Sequence, residues 1–190
     1  GDGFVDEDDR TTLGNPFPDL IYGWTNKLNY GPVGFRIFLQ GQQGGTIYNS
    51  IRQFATPGAG TNGILRERLD FWTPDNPNAK YPAPNSAGTN GGVVVGGSTA
   101  NAGESDFYLE DASYLRFREI TVTYDLPSTL LNGRIGGNIF VTGQNLFTIS
   151  DYTGLNPDVN SRSAIKASFG YDFGSYPFAR SVVFGVNLNL

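Results

Sequence analysis

Residues 182–190 read Val-Val-Phe-Gly-Val-Asn-Leu-Asn-Leu. Val182, Phe184, Val186, Leu188 and Leu190 are apolar. Of the residues between them, Gly185, Asn187 and Asn189 are small or polar, and Val183 is the exception. A period of two predicts a strand with one oily face and one wet face. The alternation runs to the last residue without a polar tail. On a soluble domain such an end would be an exposed, sticky edge, which natural proteins avoid. The stretch therefore predicts the closing strand of an outer-membrane barrel, with its oily row toward lipid.

Composition supports strands and limits the chemistry. Aromatic residues make up 14% of the 190, with 26 Gly and 11 Pro, while charged residues are only 16%. Such a mixture favours strands joined by many turns. The net charge of −5 argues against a nucleic-acid partner, because phosphate binding needs a basic surface. The chain has no Cys, which excludes disulfides and thiolate metal sites. It has no His either, so the commonest general base and zinc ligand is missing. There is also no Met, so the chain is expected to be a piece of a longer translation product. No apolar run reaches the length of a membrane helix, whereas barrel strands are short and alternate.

Five long strands are expected. The first is about 20–30, with Leu20, Tyr22, Trp24, Leu28 and Tyr30 in one phase. A turn at Tyr30-Gly31-Pro32-Val33-Gly34 leads to the second, about 35–41, where Phe35, Ile37 and Leu39 alternate with Arg36 and Gln40. The third is about 107–126. Its apolar phase runs through Leu115 and Phe117, then Ile120, Val122 and Tyr124, so it slips at Arg118-Glu119 and predicts a bulge. The fourth is about 138–148 and the fifth about 176–190. Connections after the first and third strands are short, and those after the second and fourth are long. Short turns on one side and long loops on the other is the outer-membrane barrel pattern. With Leu190 on the periplasmic side, both short turns fall there and both long loops face outward. Five strands cannot close a barrel, so a fragment of one is expected. Within the first long loop, Ile47, Ile51 and Phe54 share one helical face and predict a short helix. Residues 85–105 are rich in Gly, Asn, Ser and Ala, a linker composition.

Four segments, in order along nearly the whole chain, resemble the carboxyl-terminal part of the SusC/RagA family of TonB-dependent outer-membrane transporters. They are Gly1-Asp2-Gly3 through Asp9-Arg10-Thr11 with Gly14-Asn15-Pro16; Tyr108 to Ile120 through Tyr124-Asp125-Leu126-Pro127; Gly143-Gln144-Asn145-Leu146-Phe147-Thr148 with Tyr152-Thr153-Gly154-Leu155-Asn156-Pro157; and Tyr171-Asp172-Phe173-Gly174-Ser175-Tyr176-Pro177 with Arg180. Where the family tends to end in an aromatic residue, this chain has Leu190. The resemblance implies an all-β fold in which residues 1–190 are the last antiparallel strands of a 22-stranded transmembrane barrel with long extracellular loops. The plug and earlier strands would precede them. It further implies an importer of oligosaccharides or peptides in the bacterial outer membrane. The implied partners are a SusD-like lipoprotein at the mouth, TonB through the missing amino-terminal part, the barrel-assembly machinery and outer-membrane lipid. The closing strand would carry Val182, Phe184, Val186, Leu188 and Leu190.

Several residues could carry chemistry of their own. Gly1 to Asp9 resembles the second half of a calcium loop. Asp2, Phe4 (through its carbonyl), Asp6 and Asp9 stand at ligand spacing around the turn glycine Gly3. The alternative is a solvated acidic turn, and a calcium titration of the intact loop separates the two. Glu110 and Asp111 cannot be a glycosidase pair on a regular strand, because neighbours point to opposite faces. They and Glu119 are expected in hydrogen bonds or ion pairs near a rim. Arg116 and Arg118 are expected on the lumen side if the bulge is real. Trp72, Tyr81, Tyr152 and Tyr176 fall in or beside outer loops, where they could stack on sugars, anchor a partner, or pack the loops. No catalytic set emerges and no organic cofactor is expected. The other reading of the aromatics and acidity is a secreted β-sandwich that binds glycans, which would fold in water without detergent.

Overall fold

The structure is a computed structural model and describes residues 10–55, 66–81, 106–127, 136–158 and 169–189. The chain divides into two compact units, one of residues 17–45, 112–152 and 176–190, the other of residues 1–16, 46–111 and 153–175.

The first unit is a five-stranded antiparallel meander. Its strands are β1 (Leu20–Tyr30), β2 (Val33–Gln43), β5 (Tyr114–Asp125), β6 (Gly136–Ile149) and β8 (Ser181–Asn189), side by side in that order. β1 has the predicted bounds, while β2 and β6 extend beyond the prediction at both ends. Between β1 and β2, Tyr30 pairs with Val33 across two residues. Gly31 takes φ 57°, the left-handed value that a tight hairpin demands at its first central position. β8 is shorter than predicted because the chain before Ser181 does not pair. Pro177 there has no N–H to offer a ladder.

Register makes the sheet two-faced. Following the pairs across, Leu28, Phe35, Val122, Val141 and Phe184 share one row, and Tyr30, Val33, Tyr124, Ile139 and Val186 the next. The same face carries Ile37, Leu39, Ile120, Phe117, Leu115, Phe147, Ile149, Val182 and Leu188. The opposite face carries Lys27, Arg36, Gln40, Gln42, Glu119, Thr121, Arg116, Thr142, Gln144, Thr148, Ser181 and Asn187, with the apolar Ile21, Phe38, Phe140 and Val183 among them. The predicted bulge is real. Leu39 faces Phe117 and Phe38 faces Glu119, so Arg118 is the extra residue. Across β6 the pairing jumps from Phe147 to Gln144 at the same place. Without that extra residue, everything beyond it would change faces.

The second unit holds β3 (Thr46–Asn49), β4 (Leu109–Asp111) and β7 (Tyr171–Asp172) as a small sheet, with β3 central, antiparallel to β4 and parallel to β7. A one-turn-and-a-half helix, α1 (Ser50–Ala55), follows β3 directly, and a 3-10 turn at Asp106–Tyr108 precedes β4. Two expectations are corrected here. Ile47 belongs to a strand, opposite Glu110, and not to the helix with Ile51 and Phe54. The helix starts only where Asn49 can cap it, its Oδ1 accepting the Arg52 N–H at 3.0 Å. The third predicted strand is two strands in different sheets. It breaks at Ala112-Ser113, where the Ser113 hydroxyl accepts the Gly44 N–H (2.8 Å) and Gln42 Nε2 donates to the Ala112 carbonyl (2.8 Å). Side chains there satisfy backbone groups that a continuous ladder would have used.

Candidate functional site

The large sheet presents two surfaces of opposite chemistry. On the apolar one, aromatic rings gather in two bands. Tyr30 and Tyr124 lie in one row near the short turns. Trp24, Phe117 and Phe147 lie in another row toward the long connections, with Tyr22 one row beyond. Phe117 and Phe147 stack with centroids 3.9 Å apart. From Tyr22 to Tyr30 a strand rises about 27 Å, or about 20 Å once tilted by about 40°. That approaches the roughly 25 Å apolar band of outer-membrane barrels with its aromatic girdles. Between the bands the side chains are apolar, mostly aliphatic, and solvent-facing: Leu28, Val122, Val141 and Phe184 are 63%, 45%, 40% and 75% exposed. So much contiguous apolar area marks a surface made for a non-aqueous neighbour.

The polar surface is cross-linked. Arg36 on β2 pairs with Glu119 on β5, and the Thr121 hydroxyl donates to the same carboxylate oxygen at 3.3 Å. Thr121 and Thr142 share a hydroxyl hydrogen bond of 2.8 Å across β5 and β6. Arg116 is nearly inaccessible, with Nε donating to Thr148 Oγ1 at 3.0 Å. Its guanidinium lies 4.9 Å from the Tyr114 ring centre and 4.5 Å from that of Phe178. Arg118 sits over the same Phe178 ring at 5.1 Å and donates to Asn145 Oδ1 at 2.8 Å. Asn145 is held at φ 50° in the bulge, and its amide donates to the Ala179 carbonyl at 3.1 Å. The arginines therefore stand where the bulge was expected to put them, on the polar face. Sequence reading missed Phe178, which was assigned to the strand and instead packs in the segment before it. Its only signal was Pro177.

The small unit is organised around Arg52. Its guanidinium is within 3.4 Å of Glu110 and 3.5 Å of Glu67, donates to the Tyr81 hydroxyl at 3.3 Å, and lies 4.8 Å from the Phe107 ring centre. Burial pulls the Arg52 pKa down, but Tyr81, Glu67 and Glu110 more than compensate, so it stands above its ordinary value. Partial burial pushes Glu67 up, and Tyr81, Lys80 and Arg52 outweigh it, leaving the carboxyl below its ordinary range. Burial is also the largest influence on the Tyr81 hydroxyl, which is raised. Glu110 further accepts from the Thr153 backbone N–H (2.7 Å), the Thr153 hydroxyl (2.8 Å) and Asn49 (3.0 Å). It is thus an ion-paired, hydrogen-bonded residue. Asp172, wholly buried, accepts the N–H groups of Gly174 and Ser175 and fixes the turn after β7.

Of the four aromatics in or beside the long loops, Tyr81 and Tyr152 are buried. Tyr81 is buried against Phe107 (centroids 5.5 Å, edge-on) because its hydroxyl completes the Arg52 cluster. Tyr152 is buried beside Ser150, whose hydroxyl accepts its N–H. Trp72 is about half exposed and Tyr176 almost fully so. The calcium-loop residues Asp2, Phe4, Asp6 and Asp9 lie outside the described residues, as does Leu190. Among the described residues no cluster of three or more acidic side chains could hold a metal ion, and no helix is long and apolar enough to cross a membrane. Val182, Phe184, Val186 and Leu188 lie on β8, the last strand of the sheet.

A two-faced antiparallel meander with an exposed apolar side between aromatic bands is the wall of a transmembrane β-barrel. Comparison with known proteins agrees. The chain is 33% identical over 193 residues to TonB-dependent receptor P26 of Formosa agariphila, and 27% identical over 191 residues to TonB-dependent receptor SusC of Bacteroides thetaiotaomicron. Each match takes in 99% of this chain, which spans about a fifth of those relatives' length (18% and 17%). Among solved structures, the RagAB peptide transporter superposes on 96% of the chain with a TM-score of 0.74 at 22% identity, covering 19% of that protein. No protein-family model matches. Over nearly its whole length the chain is homologous to part of TonB-dependent receptors, SusC among them, which are β-barrel proteins of the outer membrane. The alternative of a soluble sandwich falls, since the large unit has one sheet among its described residues and the relatives are receptors.

Proposed function

We infer that the chain is the carboxyl-terminal portion of the barrel wall, with its outer loops, of an importer that takes up oligosaccharides or peptides. The observation that carries this reading is the division of the sheet into a lipid-type face and a polar face by strands whose connections alternate short and long. The apolar rows sit in the bilayer, and the ladder of Arg36, Glu119, Thr121, Thr142 and Arg116 lines the passage. Transport here is binding and gated passage, not catalysis. A SusD-like lipoprotein covers the mouth, TonB supplies energy through an amino-terminal part, and the last strand pairs with the first to close the barrel. The peptide importer among the structural neighbours and the SusC relative support these partners by analogy of fold and sequence.

The test uses the complete receptor, expressed with an affinity tag in an outer-membrane host. It should sediment with outer membranes, migrate faster on gels when unheated than when boiled, and co-purify with a lipoprotein. A soluble product with no heat-dependent migration would reject the barrel. An inserted receptor that takes up neither maltodextrin nor peptide in a TonB-dependent manner would reject the proposed importer.

A further inference from the structure

Arg118 stands on the polar face without a carboxylate partner among the described residues. A bulge residue carries it, its guanidinium stacks on Phe178, and Asn145 holds it by a single neutral hydrogen bond. Among the described residues no carboxylate pairs with it. The nearest carboxylate along its own strand, Glu119, is taken by Arg36 and Thr121. The other acidic residue of that strand, Asp125, lies at its far end beside the short turn. Arg116 packs over the same ring, so two guanidiniums stand within 5.1 Å of one ring centre. The planar fork of a guanidinium with free donors fits a carboxylate with two parallel hydrogen bonds. The orientation is fixed beforehand. Asn145, itself strapped to the Ala179 carbonyl, holds one Nη, and the Phe178 ring lies 5.1 Å from the guanidinium. Little side-chain entropy then remains to be lost on binding.

We propose that Arg118, backed by Arg116 and Phe178, is a carboxylate-binding subsite on the polar face of the wall, selecting acidic substrates. The proposal rests on the reading of that face as the lining of the passage. Its ligand is a carboxylate of a peptide or of an acidic sugar, docked on the Arg118 fork with its apolar neighbour atoms against Phe178.

The experiment is calorimetric titration of the complete, detergent-solubilised receptor. The probes are triglutamate and trigalacturonate, each against a neutral counterpart, triglutamine and maltotriose. Wild type should bind at least one acidic probe, more weakly as salt rises. Arg118→Gln should weaken that binding about tenfold or more, with Arg118→Lys in between, because a charge-assisted fork is lost and then partly replaced. Binding of a neutral counterpart, where seen, should not change. Absence of acidic-probe binding in wild type, or equal binding by Arg118→Gln, overturns the proposal. So does a structure of the complete receptor in which a carboxylate of its own polypeptide occupies Arg118. Heat-dependent migration of every variant separates the cases. An inserted receptor that does not discriminate sinks the subsite alone, and a receptor that never inserts sinks the barrel reading with it.

Discussion

At the scale of single residues, the Arg52 cluster shows how an outer-loop unit with few aliphatic core residues is held. Glu110 is nearly inaccessible and faces a nearly inaccessible Arg52. Removing it by Glu110→Ala leaves the largely buried Arg52 with Glu67 as its remaining carboxylate and should weaken the unit by about 1–3 kcal/mol. Glu110→Gln should do less harm, since an amide oxygen still accepts from Thr153 and Asn49. Limited proteolysis of the complete receptor, read at residues 46–111, checks both. The cluster also predicts a pH window. Glu67 has a lowered pKa, so its contribution is present above the ordinary carboxylate range and fades as pH falls through its folded value. Tyr81 has a raised pKa, so its contribution is present below the ordinary tyrosine range and fades as pH climbs through that raised value. Protease resistance of this segment should therefore be flat from about pH 5 to about pH 9 and drop on either side. A drop centred near neutrality would contradict this account.

At the scale of elements, the sheet depends on tight facing of glycines and rings. Gly185 lies opposite Phe140, and a Cβ there would run into that ring. Gly185→Val should lower barrel stability by about 1–3 kcal/mol, and Phe140→Ala in the same chain should recover most of it. Urea titration of unheated gel mobility measures both. The faces make a second prediction. Val141→Arg, in the middle of the apolar rows, should cost about 2–4 kcal/mol in the membrane, whereas Thr123→Arg on the polar face should be nearly neutral. Equal effects would mean that the two faces are misassigned. These elements were largely legible beforehand. The period of two is fixed by strand geometry, so Phe35, Ile37, Leu39 and Ile120, Val122, Tyr124 announce their own faces. The bulge was legible as well, because Arg118 and Glu119 interrupt a phase that resumes one residue later.

At the scale of the whole molecule, the chain divides between a membrane wall and a loop unit, and different forces hold each. The wall exposes apolar rows that only lipid can cover, so the complete receptor should need detergent or bilayer to stay monodisperse. Transfer to detergent-free buffer, followed by light scattering, should show aggregation within its purification time. Monodisperse behaviour in plain buffer would place those rows in contact with protein and not lipid. The loop unit is polar and aromatic, and it packs through Tyr48, Tyr108, Tyr171 and Phe107 around the buried Arg52 and Asp172. Such a unit suits contact with water.

Local pattern by itself determined the strands, their faces, the hairpin at Gly31, the bulge at Arg118 and the alternation of short and long connections. Each follows from steric preferences acting over a few residues. Tertiary structure alone decided the rest. Ile47 has the spacing of a helix but pairs with Glu110, because a strand partner some sixty residues away is invisible to a local window. Leu109 to Asp111 looked continuous with the strand after it, yet side-chain hydrogen bonds from Gln42 and Ser113 divide them between two sheets. Whether Tyr81 stacks outward or packs the loops was open in the sequence, and Arg52 and Phe107 closed over it. Phe178 read as a strand residue until two arginines from another strand settled on it. In every case the deciding partner is distant in sequence, and the energy lies in desolvation, stacking and charge pairing that exist only once those partners meet.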